Sequence, residues 1–331
     1  LKAIDISTKK DSYFVAGRGF AGLAIAYYLK TFFPTSKVVL FDPNPLKESA
    51  SGAASGLLEP IGGRLAARSP RATEAMAETL KLLKAVSRDS KKEVYRACGV
   101  IHPPIDEKQR QLFEKKVLDH PEYFSWTDEK ELLVKEGVNV FSSDYLEGLF
   151  SLLLKLGVEF IPEKVVLDPD VKKIFLAVGD QIETFLPGRF RFTRGQAMQV
   201  RRKLTLFRLP KVHKGYVALD SDPEVFHVGS TYERLNLHLP PNEMQAIQEL
   251  KERNKEIFPE LEELTPETVK AGTRVYSKDE SRLPQALFLG GNCYALTGLG
   301  SKGLLYHALY AKELVLEENI KLFIVGNSKT M

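Results

Sequence analysis

Apolar and polar positions along the chain fall into two regimes. Near the start, Tyr13–Ala16 is an unbroken apolar run, the pattern of a strand buried on both faces of a parallel sheet. A glycine-rich stretch follows, then an Ala- and Leu-rich segment of helical period that Pro34 ends. Lys37–Phe41 predicts a second buried strand. Ala72–Val86 repeats apolar residues at helical spacing (Ala75, Leu80, Leu83), and Val94–His102 reads as a strand closed by Pro103 and Pro104. Residues 106–137 read as charged helices and loops, with Trp126 as packed core. Ser142–Gly157 predicts an amphipathic helix through Leu146, Leu149, Phe150, Leu153 and Leu154, leading into strand Val158–Ile161. Lys173–Val178 is a further apolar strand, ending at Gly179 and Asp180, and it fits the parallel sheet begun at Tyr13.

From Phe190 onward the pattern turns to alternation. Gly215–Leu219 and Val225–Ser230, joined by Asp220-Ser221-Asp222-Pro223, predict an antiparallel hairpin. A helix is expected at Pro241–Phe258 and a strand at Val269–Tyr276. The last third returns to the first regime, with strand Ala286–Gly290, a loop to Gly303 and helix Leu304–Glu317. The parallel sheet is therefore interrupted by residues 67–140 and then resumed.

The junction after the first strand carries chemistry. Gly17-Arg18-Gly19-Phe20-Ala21-Gly22 is G-x-G-x-x-G between strand and helix, the setting of a dinucleotide fingerprint. The first glycine makes the tight turn, the second lets backbone approach a pyrophosphate, and the third lets helix pack on strand. Free N–H groups at the helix start then face the phosphates. Asp42 stands 20 residues past Gly22, where a carboxylate can hold a ribose hydroxyl pair. Residues 48–64 are rich in Ser, Ala and Gly, so backbone there can crowd a planar ligand. A helix starting near Ser51 would add N–H donors; a plain flexible loop is the alternative.

Composition narrows the class. With 331 residues, 44% hydrophobic and 27% charged, the chain has the make-up of an ordinary globular protein with room for two domains. No apolar run is long enough to span a bilayer, and the first residues lack the apolar core of a signal peptide, so a cytoplasmic protein is expected. Leu1 in place of Met leaves the true start open. Cys98 and Cys293 make no disulfide framework, and the six histidines lack ligand spacing, so no metal is expected. A net charge of +4 implies no polyanion partner by itself. The stretch from Pro187 to Lys214, however, holds nine Lys/Arg and no Asp or Glu. It reads either as a solvated face or as a surface for phosphate or an acidic substrate.

Seven fragments in order resemble the FAD-dependent amino acid oxidase family, of glycine oxidase and D-amino acid oxidase type. ASGAASGLLEP (50–60) is similar to the family's flavin-facing segment, implicating Ser51, Ala54, Ser55, Gly56 and Leu57. DYLEGLFSLLLKLGVEFIPEKVV (144–166) is similar to the helix and strand whose closing valine, here Val165 or Val166, touches adenine. IFLAVGD (174–180) resembles the second flavoprotein fingerprint, implicating Gly179. TRGQ (193–196) and GYV…VGSTYE (215–233) resemble strands of the substrate domain. AGTR (271–274) resembles the family's Gly-x-Arg, and LTGLGSKGLLY (296–306) its closing glycine-rich loop and helix.

The resemblance implies an α/β fold. A Rossmann-like FAD-binding domain with a mostly parallel sheet would comprise residues 11–66, 141–186 and 272–331. A discontinuous α+β substrate domain on an antiparallel sheet would comprise 67–140 and 187–271. It implies non-covalent FAD held by Gly17, Gly19, Phe20, Ala21, Gly22, Asp42, the segment 51–57, and Gly300, Ser301, Lys302, Gly303 and Leu304. N–H groups at that last loop would stabilise negative charge on reduced flavin. Arg274 would clamp a substrate carboxylate bidentately, assisted by Tyr216; an interdomain ion pair and a packed hairpin ring are the respective alternatives. The implied reaction is oxidation of the C–N bond of a carboxylate-bearing amine, hydride passing to flavin N5 and the imine being hydrolysed. A covalent flavin link through Cys293 is not expected.

GLGSKGL, TRGQ and the Arg-Leu-Pro at 282–284 also resemble the oxidoreductase half of the bifunctional enzyme that builds methylaminomethyl-thiouridine in tRNA. That likeness implies removal of a carboxymethyl group from a modified wobble uridine, with tRNA as the partner. Departures from the family lie in AVGDQ and in the short link Leu167–Lys173, and they bear on substrate more than on flavin. An NAD-dependent dehydrogenase would share residues 17–22 without needing Gly300–Leu304. A non-catalytic flavin-binding protein could dispense with Arg274. The sequence assigns no oligomeric state.

Overall fold

In the computed structural model, which describes residues 12–166, 173–202, 209–279 and 283–324, the first apolar run forms strand Ser12–Ala16 and the segment after the glycines forms helix Phe20–Phe32. The chain separates into two compact units. The first comprises Leu1–Leu46, Leu149–Arg191 and Arg274–Met331; the second comprises Lys47–Gly148 and Phe192–Thr273.

The first unit holds a six-stranded sheet. Its order is Val158–Ile161, Lys37–Phe41, Ser12–Ala16, Lys173–Leu176, Cys293–Thr297 and Gln285–Gly290. The first five run parallel, with Val15 between Leu40 and Phe175 in register. Gln285–Gly290 closes the edge antiparallel to Cys293–Thr297. Strand Cys293–Thr297 replaces the loop expected between Gly290 and Gly303. The tight turn at Gly290 and Gly291, both at positive φ, reverses the chain so that this strand, and not Ala286–Gly290, rejoins the parallel sheet. Helix Phe20–Phe32 packs on the final helix Gly303–Ile324. Its Leu23, Ile25 and Leu29 are fully buried, each worth roughly 1.5–3 kcal/mol of transfer free energy.

The second unit is built on an eight-stranded, mostly antiparallel sheet. Its order is Pro266–Ser277, Phe190–Arg201, Val225–Gly229, Tyr216–Leu219, Lys211–Val212, Val100–His102, Leu132–Val134 and Phe124–Trp126. The predicted hairpin pairs Tyr216 with Gly229 and Leu219 with Phe226. One sheet face carries Met198, Val200, Val217 and Val228, packed with Leu250 of helix Glu243–Asn254 and with Phe258 and Leu261. Trp126 packs against the core around Phe113 and Phe124. Leu57–Leu58, Val138–Val140 and Tyr95–Arg96 make a smaller three-stranded sheet. Its buried Asn139 grips the hairpin: the side-chain amide donates to Leu219 O at 2.8 Å and the side-chain oxygen accepts from Leu219 N at 2.8 Å.

Three local expectations change. The strand expected over Val94–His102 breaks into Tyr95–Arg96 and Val100–His102, because Gly99 takes φ +82° and its missing side chain leaves room for Leu133. The helix expected near Ser51 is instead a run of turns after Leu46–Glu48, ending as the chain enters strand Leu57–Leu58. For the same reason residues 47–66, expected with the dinucleotide-binding part, cluster with the second unit, as do 141–148. Val140 N donates to Gly56 O at 2.7 Å, and Leu57 and Leu58 pair with Asn139 and Val138. The helix expected over Pro241–Phe258 forms as Glu243–Asn254, its first turn capped by the Asn242 side chain accepting from Gln245 N. Arg282, part of the Arg-Leu-Pro likeness, and Lys203 lie outside the described residues, as does most of the Leu167–Lys173 link.

Candidate functional site

The fingerprint loop is shaped by contacts that forbid side chains. Gly17, at φ +100°, donates its N–H to Phe41 O at 2.8 Å, and a β-carbon there would lie 2.2 Å from Ala177 O. One on Gly22 would lie 1.8 Å from Gly17 O. Helix Phe20–Phe32 then opens at Gly19 with no side-chain cap and no acidic residue in its first turn. Such an end leaves N–H donors and a positive dipole pole for an anion. Ala21 and Phe20 are buried, and the Phe20 ring lies 5.5 Å from that of His307. Gly303 sits beside Phe20, the position of its missing β-carbon 4.0 Å from the Phe20 ring edge. Thus the starts of helices Phe20–Phe32 and Gly303–Ile324 are neighbours within the first unit.

Asp42 ends its strand next to that loop. Its carboxylate accepts from Arg18 N at 2.7 Å and from Asn44 N at 2.9 Å. Each oxygen keeps a lone pair for a further donor. Arg18 was not singled out by the motif, whose second position tolerates any residue. Its guanidinium lies 4.4 Å from the Phe160 ring centre and 4.8 Å from that of Phe150, and its Nη2 donates to Asn44 O at 3.0 Å. Its Nε is buried and has no partner among the described residues. Burial pulls the Arg18 guanidinium below its ordinary pKa, and the Asp42 charge opposes the shift.

The other expected residues of the first unit sit at strand ends and turns. Gly179 takes φ +57° with open space where a side chain would be. Val165 is half-buried, whereas Val166 is exposed. Gly300 takes φ +54° and supports the Tyr276 ring, which would stand 2.5 Å from a β-carbon. Ser301 is exposed, Lys302 and Gly303 half-buried and Leu304 buried. Cys293 is a half-buried strand residue whose thiol burial pushes up, which disfavours the thiolate.

In the second unit the segment 50–57 lies against the sheet face opposite the helix-packed one. Tyr216, Gly229 and Ala197 are direct cross-strand partners and share that face. The Tyr216 ring crosses Gly229, where a β-carbon would fall 2.1 Å from the tyrosine hydroxyl. That hydroxyl meets Ser55 Oγ at 2.8 Å. Gly272 admits Ala50 and Ala53, whose Cα and Cβ would lie 2.6 and 3.2 Å from an added β-carbon. Gly56, at φ +95°, allows Val140 O to close in. On strand Pro266–Ser277, Thr268 Oγ1 donates to Gln199 on this same face, while Val269 packs on the opposite one. Period-two alternation then puts Gly272 on the face of Tyr216. Arg274, where the chain re-enters the first unit, is half-buried. Ser51 and Ala54 are half-buried in the turns and Ser55 is buried. Gly229 and Gly272 were legible in the sequence as VGST and AGTR, although nothing there marks them as relief for Tyr216 and Ala50.

The basic stretch is largely neutralised within the second unit. Arg201 is paired with Asp222, Glu224 and Glu267, and Arg202 with Glu260. Arg194 pairs with Glu233, Lys211 with Glu131 and Lys214 with Glu256. Arg189, just before strand Phe190–Arg201, and Arg191 within it are both exposed. Among the described residues no cluster of His, Cys, Asp and Glu could hold a metal ion, and no helix is long and apolar enough to cross a membrane.

Comparison with known proteins agrees with this architecture. The family described as FAD dependent oxidoreductase (DAO) matches residues 12–316. The fold is similar to glycine oxidase from Bacillus cereus ATCC 14579, at 18% identity and a TM-score of 0.76, covering 94% of this chain and 96% of that one. Glycine oxidase from Geobacillus kaustophilus gives 16% identity and a TM-score of 0.75 over 93% of each chain. Iminodiacetate oxidase from Chelativorans sp. BNC1 gives 14% and 0.74, covering 92% of this chain and 94% of that one. No curated protein matches the sequence.

Proposed function

Because the chain belongs to the FAD-dependent oxidoreductase family, we propose that it oxidises the C–N bond of a small amine or amino acid bearing a carboxylate. FAD is the cofactor of the family, and the residues present suit it. The uncapped helix start at Gly19, the side-chain-free approach at Gly17 and Gly22, and the buried, unmatched Arg18 Nε together form a cradle for an anionic dinucleotide. In the first unit Gly17, Gly19, Gly22 and Asp42 would hold the adenosine diphosphate part, with Gly300–Leu304 against the flavin.

Bound FAD supplies the two-electron acceptor for the substrate C–H bond. The chain's own residues do the remaining work. Arg274 would take the substrate carboxylate in a two-pronged hydrogen bond, which fixes both its position and its orientation. Tyr216 would add one hydrogen bond, its hydroxyl held by Ser55. An amine that binds in its neutral form needs no side-chain base; water then hydrolyses the imine product.

One observation carries the reading: within the second unit the Tyr216 hydroxyl is held by Ser55 on the sheet face that packs on the small-residue segment 50–57. A non-catalytic flavoprotein could dispense with Arg274, which this chain keeps, and an NAD enzyme is set aside by the family match. A free amine is favoured over the modified uridine of tRNA because the basic stretch spends its charge on internal acids. The test is anaerobic bleaching of the flavin absorbance by a panel of amines matched in size. Carboxylate-bearing members should bleach it and their amides should not. Equal bleaching by acids and amides would overturn the carboxylate requirement.

A further inference from the structure

The second position of the fingerprint is an arginine that the motif does not require. We propose that Arg18 reads the adenosine end of FAD by donating a hydrogen bond from its Nε, which makes it a determinant of FAD over FMN. The inference rests on the proposed placement of the cofactor at Gly17–Gly22 and Asp42.

Three observations support it. The side chain is held in one place: the guanidinium rests on Phe160 and Phe150 at 4.4 and 4.8 Å, and Nη2 is fixed on Asn44 O. The two rings meet edge to face at 5.2 Å, so they form a rigid seat and not two loose contacts. The location is the corner of Asp42, since the backbone N–H of Arg18 itself donates to that carboxylate at 2.7 Å. In this fold that corner receives the ribose. The Nε–H of this immobilised group is buried and has no partner among the described residues. A buried donor with nothing to bind is an expense that a bound acceptor would remove.

The class of acceptor follows from charge. Asp42 stands beside Arg18, and a carboxylate so close disfavours a second anion such as a phosphate at that spot. The pyrophosphate already has the open helix start at Gly19 and Phe20. A neutral acceptor remains, a ribose hydroxyl or a ring nitrogen of adenine. FMN lacks both, because it has no adenosine.

The experiment titrates apoprotein with FAD and with FMN by flavin fluorescence, comparing the wild type with Arg18→Met and Arg18→Lys. Methionine keeps length and apolar contact with the rings; lysine keeps the charge. Neither carries an Nε–H of this geometry. Both should weaken FAD tenfold or more while leaving FMN within about twofold. Unchanged FAD affinity in either folded variant would overturn the inference. So would equal weakening of FAD and FMN, which would mark a structural role. Thermal unfolding of the apo forms shows which variants are folded. Asp42→Ala separates the premise from the inference. If it leaves FAD affinity intact, the placement of the cofactor fails. If it weakens FAD while Arg18→Met does not, only the role of Arg18 fails.

Discussion

Ser55 Oγ and Tyr216 Oη lie 2.8 Å apart, joining the small-residue segment to the first strand of the hairpin. The pair is braced from both sides. Gly229 leaves room for the tyrosine ring to cross it, and Asn139, on strand Val138–Val140 of the smaller sheet, holds Leu219 three residues farther along the tyrosine's strand. Segment and sheet are therefore tied by hydrogen bonds, and the position of the tyrosine oxygen is fixed before any ligand arrives. Tyr216→Phe should raise KM for a carboxylate substrate roughly 10- to 150-fold, as for loss of one hydrogen bond worth about 1.5–3 kcal/mol to a charged group, with a smaller change in kcat. Ser55→Ala should give a weaker version of the same pattern. Steady-state kinetics check both; a fall in kcat at constant KM would contradict them.

Arg274 should matter more. Removing one partner of a desolvated charge pair costs roughly 2–5 kcal/mol, so Arg274→Ala should lower kcat/KM by about that much on the transition-state scale. Arg274→Lys should restore part of the loss, because an ammonium cannot make the two-pronged bond. The comparison is made with acid and amide forms of one substrate. The variant should lose its preference between them.

His307 predicts how stability changes with pH. Its ring is fully buried against Phe20, and Nδ1 faces the carbonyls of Gly303 and Leu304 at 3.1 Å. Burial lowers its pKa to about 4, partly offset by those two carbonyls. The unfolded chain takes up the proton near pH 6.5, whereas the native state resists until about pH 4. This contribution to stability is therefore intact above pH 6.5 and is lost as pH falls toward 4, by about 3 kcal/mol in all. His307→Gln, which keeps a donor but does not titrate, should flatten urea-unfolding stability across that window. An unchanged slope would contradict the assignment.

Much of this was legible in the residues. A buried strand reads as an apolar run wherever both faces are covered, so Tyr13–Ala16, Lys37–Phe41 and Val158–Ile161 could be placed within a residue. Strand Cys293–Thr297 was hidden because Gly290 and Gly291 read as the start of a loop; that the turn is tight enough to return a strand depends on pairing partners far away in sequence. The helix expected at Ser51 failed for a related reason. Local N–H donors were weighed there, but the decisive contacts are the long-range pairs of Leu57 and Leu58 with Val138 and Asn139. Glycine and arginine positions were legible as motif letters. What a missing β-carbon makes room for, as at Gly229 and Gly272, is set by the folded chain alone.

The basic stretch yields the last prediction. Charge counting along the sequence treats Arg201, Arg202 and Lys211 as available cations, since no acid lies within their own segment. The fold brings acids to them from elsewhere: Asp222 and Glu267 reach Arg201 at 2.9 and 2.7 Å, Glu260 reaches Arg202 at 3.2 Å, and Glu131 reaches Lys211 at 3.0 Å. A phosphate approaching Arg201 would have to displace carboxylates already in place, and their repulsion would oppose it. Each phosphate truly neutralised adds about 0.7–0.9 to the slope of log affinity against log salt. Neutralising Arg201, Arg202 and Lys203 together should therefore leave that slope unchanged for tRNA, where an RNA-tracking surface would lose about two to three units. Turnover of a free amine should be unaffected by the same triple change. Binding of tRNA is followed by fluorescence anisotropy at several salt concentrations. A steep slope in the wild type that collapses in the triple variant would transfer the substrate assignment to RNA.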